Sequence, residues 1–250
     1  MLSLFPANDY ALIAVILGMP LLGAFVNGVF GKRLGDSAVK AMSLAAIGVS
    51  FAAAIVAFFA LASAAGADKD AHVKLVWNAW EWMHTTGGRD DVRIPIDVKF
   101  SIDQLSGVMM LVVTGVSFLI HLYATSYMEK DPGYARFFAY MNLFVFAMLV
   151  LILADNLPLL FVGWEGVGLC SYLLVGYYFD REYAAAAGRK AFVVNRIGDY
   201  GFLLGMFGIF AAFGSLNYTE VFRKAAEHPA QFSPVLSVIC LCLFVGAMGK

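Results

Sequence analysis

Asn156-Leu-Pro-Leu-Leu-Phe-Val-Gly-Trp-Glu-Gly-Val-Gly-Leu-Cys-Ser-Tyr-Leu-Leu-Val-Gly-Tyr-Tyr-Phe179 is an apolar run broken by one formal charge, Glu165. Its length suits a membrane-spanning helix, which needs about 20 mainly apolar residues. Glu165 stands nine residues after Asn156. At 1.5 Å per residue that is roughly 13 Å along the helix, near the middle of a hydrocarbon core about 30 Å thick. An ionisable side chain at that depth costs about 2.5–3.5 kcal/mol on insertion scales, so a functional role is the default expectation. Gly163, Gly166 and Gly168 around it let a neighbouring backbone or water approach closely.

The rest of the chain repeats the pattern. Residues 10–31, 41–67, 104–128 and 137–154 contain no formal charge, and the run from Ala191 to about Ser215 carries only Arg196 and Asp199. Pro229 to Gly249 is free of charge again, and Lys250 follows it. This predicts an all-α polytopic membrane protein with six complete spans and most of a seventh, which the glycines before Lys250 suggest is broken. The stop at Lys250, directly after Gly246-Ala-Met-Gly249, reads as a truncation. Composition agrees: of 250 residues, 61% are hydrophobic and 14% charged, and mean hydropathy is +0.78. Soluble domains run at about 45–50% apolar and about 25% charged. Disorder and a disulfide scaffold are excluded. So is nucleic-acid binding, because a net charge of −1 offers no basic footprint for phosphates. Cys170, Cys240 and Cys242 lie in apolar runs and read as small buried side chains.

The first span lacks a basic region before it, is flanked by Asp9 and is too long for a signal-peptide core, so it reads as a retained anchor. Lys32, Arg33, Lys40, Lys130, Arg136, Arg181, Arg189 and Lys190 crowd one set of short connections. Lys69, Lys74, Arg89, Arg93, Lys99, Arg223 and Lys224 are spread over the longer opposite set. That density puts the first set in the cytoplasm and the N-terminus outside. Tyr177, Tyr178 and Phe179 suit an interfacial aromatic belt. In the 68–100 connection, Val92, Ile94, Ile96, Val98 and Phe100 alternate with Asp91, Arg93, Pro95, Asp97 and Lys99. With Val73-Lys-Leu-Val-Trp77 upstream and Gly87-Gly88 between, this predicts a β-hairpin on the outer surface, with Pro95 on an edge. Its tryptophans, Trp77, Trp80 and Trp82, suit either a partner contact or a cap over the helices.

Four ionisable residues therefore fall inside the membrane: Glu165, Arg196, Asp199 and Lys250. Arg196 and Asp199, three apart, share a helix face and can pair. The connection around Asp180 to Arg189 is short, so the fifth and sixth spans read as antiparallel neighbours, which brings Asp199 near the depth of Glu165. Lys250, after two glycines, can serve as a movable cation for Glu165 if its helix starts late or breaks. A carboxylate whose proton affinity is set by a movable cation can take up and release protons. The alternative is a permanent structural ion pair. His121 and Asp103 are weaker candidates, a packed histidine and a helix N-cap. No Cys-x-x-Cys-His, cluster-type cysteine spacing, phosphate loop or dinucleotide fingerprint is present, so nothing in the chain holds a redox cofactor.

Phe161 to Gly176 resembles a block of the antiporter-like subunits of proton-pumping NADH:quinone oxidoreductase, respiratory complex I, of the subunit L or chain 5 type. Lys190-Ala-Phe-Val-Val-Asn-Arg-Ile-Gly-Asp199 is similar to the helix that follows. Ser101-Ile-Asp-Gln-Leu-Ser106 through Tyr127-Met128 is similar to the family's N-terminal region, and Val245 to Lys250 to the start of its broken seventh helix. The resemblance implies an antiporter-like helical fold of inverted repeats. Residues 1–134 would be three leading helices with the hairpin, and 135–250 the first part of a proton-conducting repeat. It makes Glu165 the relay glutamate and Lys250 its partner, with Asp199 and Arg196 at charged positions beside them. It implies that NADH, FMN, iron–sulfur clusters and quinone belong to partner subunits. The partners implied are other membrane-arm subunits, chiefly a neighbouring antiporter-like one, in a bacterial inner membrane. A large subunit of a multisubunit Na⁺/H⁺ antiporter shares this core, and a non-conducting structural module is a third reading.

Overall fold

The computed structural model describes residues 9–67, 73–87, 92–227 and 229–250. Each charge-poor run becomes a helix: α1 (Leu12–Leu34), α2 (Asp36–Ala67), α3 (Gln104–Tyr127), α4 (Tyr134–Leu153), α5 (Leu157–Val175) and α6 (Glu182–Phe213). These six are long and apolar enough to cross a membrane, and the chain is a multi-pass integral membrane protein. The surface helix α7 (Tyr218–Glu227) and the apolar α8 (Pro229–Gly249) follow. Helix starts are encoded locally. Asp103 caps α3 in a reciprocal box with Ser106, and the Asn156 side chain accepts from the Leu159 N–H at 2.9 Å to start α5. Helix α6 begins at Glu182, two turns before the Lys190 start its charges suggested, because Ala184 to Ala187 are strong helix formers. It ends at Gly214, which takes φ +65°, while Lys224 of α7 donates to the Phe213 carbonyl at 2.6 Å.

The predicted hairpin is present. Strands β1 (Leu75–Gly87) and β2 (Val92–Ile102) pair antiparallel, with Leu75 opposite Ile102 and Trp77 opposite Phe100. Its expected turn at Gly88 lies outside the described residues. The inner face caps the bundle: Leu75, Val98, Phe100 and Ile102 are buried in one core with α1 to α5. The Tyr10 N–H donates to the Val76 carbonyl at 2.7 Å. The buried Asp155, in the α4–α5 connection, takes Lys99 at 2.9 Å and Lys74 at 3.8 Å. Trp77 stacks on Phe100, whereas Trp80 and Trp82 stay exposed.

Small residues set how closely the helices pack. A Cβ on Gly163 of α5 would lie 2.5 Å from the Leu151 nitrogen of α4. On α6, Gly198, Gly201, Gly205 and Gly208 face Gly249, Val245, Leu243 and Ile239 of α8 in turn. The numbers fall on one helix as they rise on the other, so α6 and α8 run antiparallel. Among the cysteines Cys170 is buried, but Cys240 is exposed, on a face of α8 away from this seam.

Candidate functional site: a charge cluster on α5, α6 and α8

The glycine seam carries α8 down α6 until Gly249 meets Gly198, and this delivers Lys250 to the residue after Gly198, which is Asp199. The Lys250 ammonium lies 3.8 Å from Asp199 Oδ1. No break in α8 brings it there, because the helix is continuous from Pro229 to Gly249. Asp199 is 3% exposed, and its Oδ1 also accepts from the Trp164 indole N–H at 2.7 Å. The other carboxylate oxygen lies 3.9 Å from Arg196 Nη1, one turn back on α6. The same Nη1 is in direct ion-pair contact with Glu165 Oε2 on α5.

The four charges predicted from sequence are thus brought together, two cations and two anions with no net charge. Their connectivity differs from the expected one. Among the described residues Glu165 and Lys250 form no direct ion pair: Glu165 holds Arg196, Lys250 holds Asp199, and Arg196 bridges the carboxylates. Arg196 prevails because its long fork reaches across from the facing helix α6, while Lys250 arrives on the Asp199 side of the seam. The expected Arg196–Asp199 pairing and the common depth of Glu165 and Asp199 are both present.

Trp164 and Asn195 escaped the sequence reading. The Trp164 ring lies under the Lys250 ammonium, 5.2 Å from its centroid, so one side chain orients both members of the Lys250–Asp199 pair. Asn195 and Lys250 line a cavity of about 350 Å³ with Gly168 and Ser171. The only available signal for Trp164 was its place beside Glu165, which does not say whether the indole faces a carboxylate. Gly168 is matched to the site: a Cβ there would lie 2.6 Å from Lys250 Nζ. The weaker candidates lie elsewhere. His121 is buried on α3 with Nδ1 2.8 Å from the Ser117 carbonyl, and Asp103 is the α3 cap.

Chemically the cluster offers one cation that stays protonated, Arg196, between two carboxylates, and a second cation able to give up its proton. Among the described residues no group of three His, Cys, Asp or Glu is placed to hold a metal ion.

Residues 154–250 match the transmembrane family model of NADH:quinone oxidoreductase and Mrp antiporters, and residues 91–138 match the N-terminal model of complex I chain 5. The chain belongs to this antiporter-like family of membrane subunits. Curated relatives in the family include NADH-quinone oxidoreductase subunit L of Neisseria meningitidis, 41% identical over 97% of this chain and 36% of the relative. NADH-ubiquinone oxidoreductase chain 5 of Metridium senile is 39% identical over 94% of this chain and 37% of its own length. The chain therefore spans about a third of the curated relatives it matches. The antiporter-like fold is found in a solved Mrp complex from Dietzia sp. DQ12-45-1b, with TM-score 0.75, 20% identity, and coverage of 95% of this chain and 23% of that one. It is found also in an archaeal membrane-bound sulfane sulfur reductase, with TM-score 0.71, 22% identity, and coverage of 94% and 43%.

Proposed function

We propose that this chain is the N-terminal part of a proton-translocating membrane-arm subunit of NADH:quinone oxidoreductase, of the subunit L or chain 5 type. The observation that carries the reading is the Glu165–Arg196–Asp199–Lys250 cluster, two ion pairs joined by one half-exposed arginine among apolar spans. In this reading residues 135–250 belong to a proton-conducting repeat and 1–134 are leading helices. The membrane is a bacterial inner membrane with the N-terminus outside, in keeping with the density of Lys and Arg. NADH oxidation and quinone reduction, with FMN and iron–sulfur clusters, take place in partner subunits, and a neighbouring antiporter-like subunit abuts this one.

The geometry suggests how charge elsewhere in the complex could move a proton here. With Glu165 ionised, Arg196 rests on it and Asp199 is left to Lys250. A proton arriving on Glu165 releases Arg196, whose Nη1 needs to move little to close on Asp199, 3.9 Å away. Arg196 and Lys250 then compete for one carboxylate. Occupancy of Glu165 is thereby coupled to occupancy of Lys250 through a cation that itself never gives up its proton. Trp164 keeps Asp199 in place while its partners exchange.

The test is Glu165→Gln in the full-length subunit within its native membrane. NADH-driven proton uptake into inverted vesicles is followed, normalised to assembled complex. Proton uptake and quinone-reductase turnover should fall together while assembly holds. A fully assembled variant that pumps like the parent overturns the relay. A Na⁺/H⁺ antiporter subunit is the second reading, favoured by the family model shared with Mrp antiporters and the likeness to the Mrp structure. It predicts ion exchange in membranes given no NADH.

A further inference from the structure

A cationic site, apart from the neutral charge cluster, lies at the end of the bundle opposite the hairpin, where α4 begins and α5 ends. Gly176, just past α5, meets Gly188 of α6 so closely that a Cβ on Gly188 would be 3.1 Å from the Gly176 Cα. That contact sets the next residue, Arg189, opposite Arg136 of α4 across a cavity of about 280 Å³, which Tyr140 and Tyr172 also line. Arg136 is held with its guanidinium faces on rings, 4.8 Å from the Tyr177 centroid and 4.9 Å from that of Phe179. Stacking leaves only the N–H edges free to bond. One edge group, Nη2, donates to the Tyr177 carbonyl at 3.5 Å, but the buried Nε–H has no acceptor. A buried N–H of a charged group without a partner is costly, and the lining of this cavity supplies no oxygen that meets it. Arg189 is exposed and has no ion-pair partner among the described residues. Asp131 lies close enough to feel the Arg136 charge, but its Oδ1 accepts from the Gly133 N–H at 2.7 Å and the Tyr177 hydroxyl at 2.8 Å, and among the described residues it forms no ion pair with Arg136.

We propose that Arg136 and Arg189 bind a phosphate oxyanion in this cavity. The guanidinium fork matches a phosphate in a bidentate way, and two arginines suit a multiply coordinated anion. The cavity lies between the ends of spanning helices, beside Tyr177, Tyr178 and Phe179, at the level of lipid headgroups. The anion is then either the headgroup phosphate of an anionic phospholipid or a soluble phosphate. The site is separate from the Glu165 cluster and does not depend on the translocation reading.

The test uses the full-length subunit in its assembled complex, delipidated in a neutral detergent. Dioleoyl phosphatidylglycerol, phosphate-free dioleoylglycerol or inorganic phosphate is added. Unfolding temperature and bound mass are recorded for the parent, Arg189→Gln and Arg136→Gln. Phosphatidylglycerol should stabilise the parent and dioleoylglycerol should not. Arg189→Gln, an exposed position that leaves folding intact, should bind roughly tenfold more weakly, as expected for one lost charge-assisted contact. Phosphatidylglycerol acting alone identifies a lipid headgroup, and inorganic phosphate acting equally well identifies a soluble anion. The proposal is overturned if the parent gains no phosphate-dependent stability, or if Arg189→Gln responds as the parent does.

Discussion

Trp164 carries more of the site than its apolar surroundings suggest, because its indole serves Asp199 as donor and Lys250 as a ring face at once. Trp164→Phe keeps the ring and removes the N–H. A hydrogen bond to a charged group contributes about 1.5–3 kcal/mol, so Asp199 should lose its fixed orientation and proton uptake per NADH should drop roughly threefold or more in assembled complex. Asp131 gives a pH prediction. Burial alone would raise its carboxyl, but the Gly133 N–H and the Tyr177 hydroxyl outweigh it and hold it below the ordinary 3.8. A carboxyl lowered in the folded state adds stability that is complete above its unfolded value and is lost as pH falls through the folded one. The α3–α4 turn should therefore loosen only below about pH 4, and Asp131→Asn should remove that acid limb from a melting-temperature profile against pH.

At the level of elements, the α6–α8 seam is what makes the charge cluster possible. Gly198→Val would put its side chain into the Gly249 backbone, where even a Cβ falls 2.8 Å from the Gly249 Cα. Overpacking of this kind costs about 1–3 kcal/mol. The helices should separate, with a lower melting temperature in detergent and translocation lost together. A change on the outer face of α8, Leu241→Val, should leave both within error. The hairpin clamp is a separate prediction. Asp155→Ala leaves Lys99 without its carboxylate. Since Lys99 is 30% exposed, the cost should be roughly 1–3 kcal/mol, below the about 3–5 kcal/mol of a fully buried pair. Amide hydrogen exchange in residues 97–101 should speed up while α6 and α8 stay protected.

Over the whole molecule, the spans and the hairpin were legible residue by residue. Charge-free runs of sufficient length, the alternation from Val92 to Phe100 and the cap at Asp103 all act within a few residues of chain, whereas the Asn156 cap is a finding of the structure. Helix α6 starts earlier than Arg189 and Lys190 predict, because the alanines before them continue the helix. The question left open for the hairpin, cap or partner contact, is answered on one side. Its inner face caps the helices, and the exposed Trp80 and Trp82 line an apolar cavity with residues of α1, α4 and α5.

The sequence by itself determined which side chains lie in the membrane. Their depth follows from position along an apolar run, and the cost of burying a charge there makes each one conspicuous. Only the tertiary structure decided how those charges pair. Glu165 could not be matched to Arg196 rather than Lys250 from spacing, because they sit on different helices. Their contact depends on the register of α6 against α5 and of α8 against α6. That register is set by glycines whose missing side chains permit the approach, a steric fact between helices that no single stretch of chain contains.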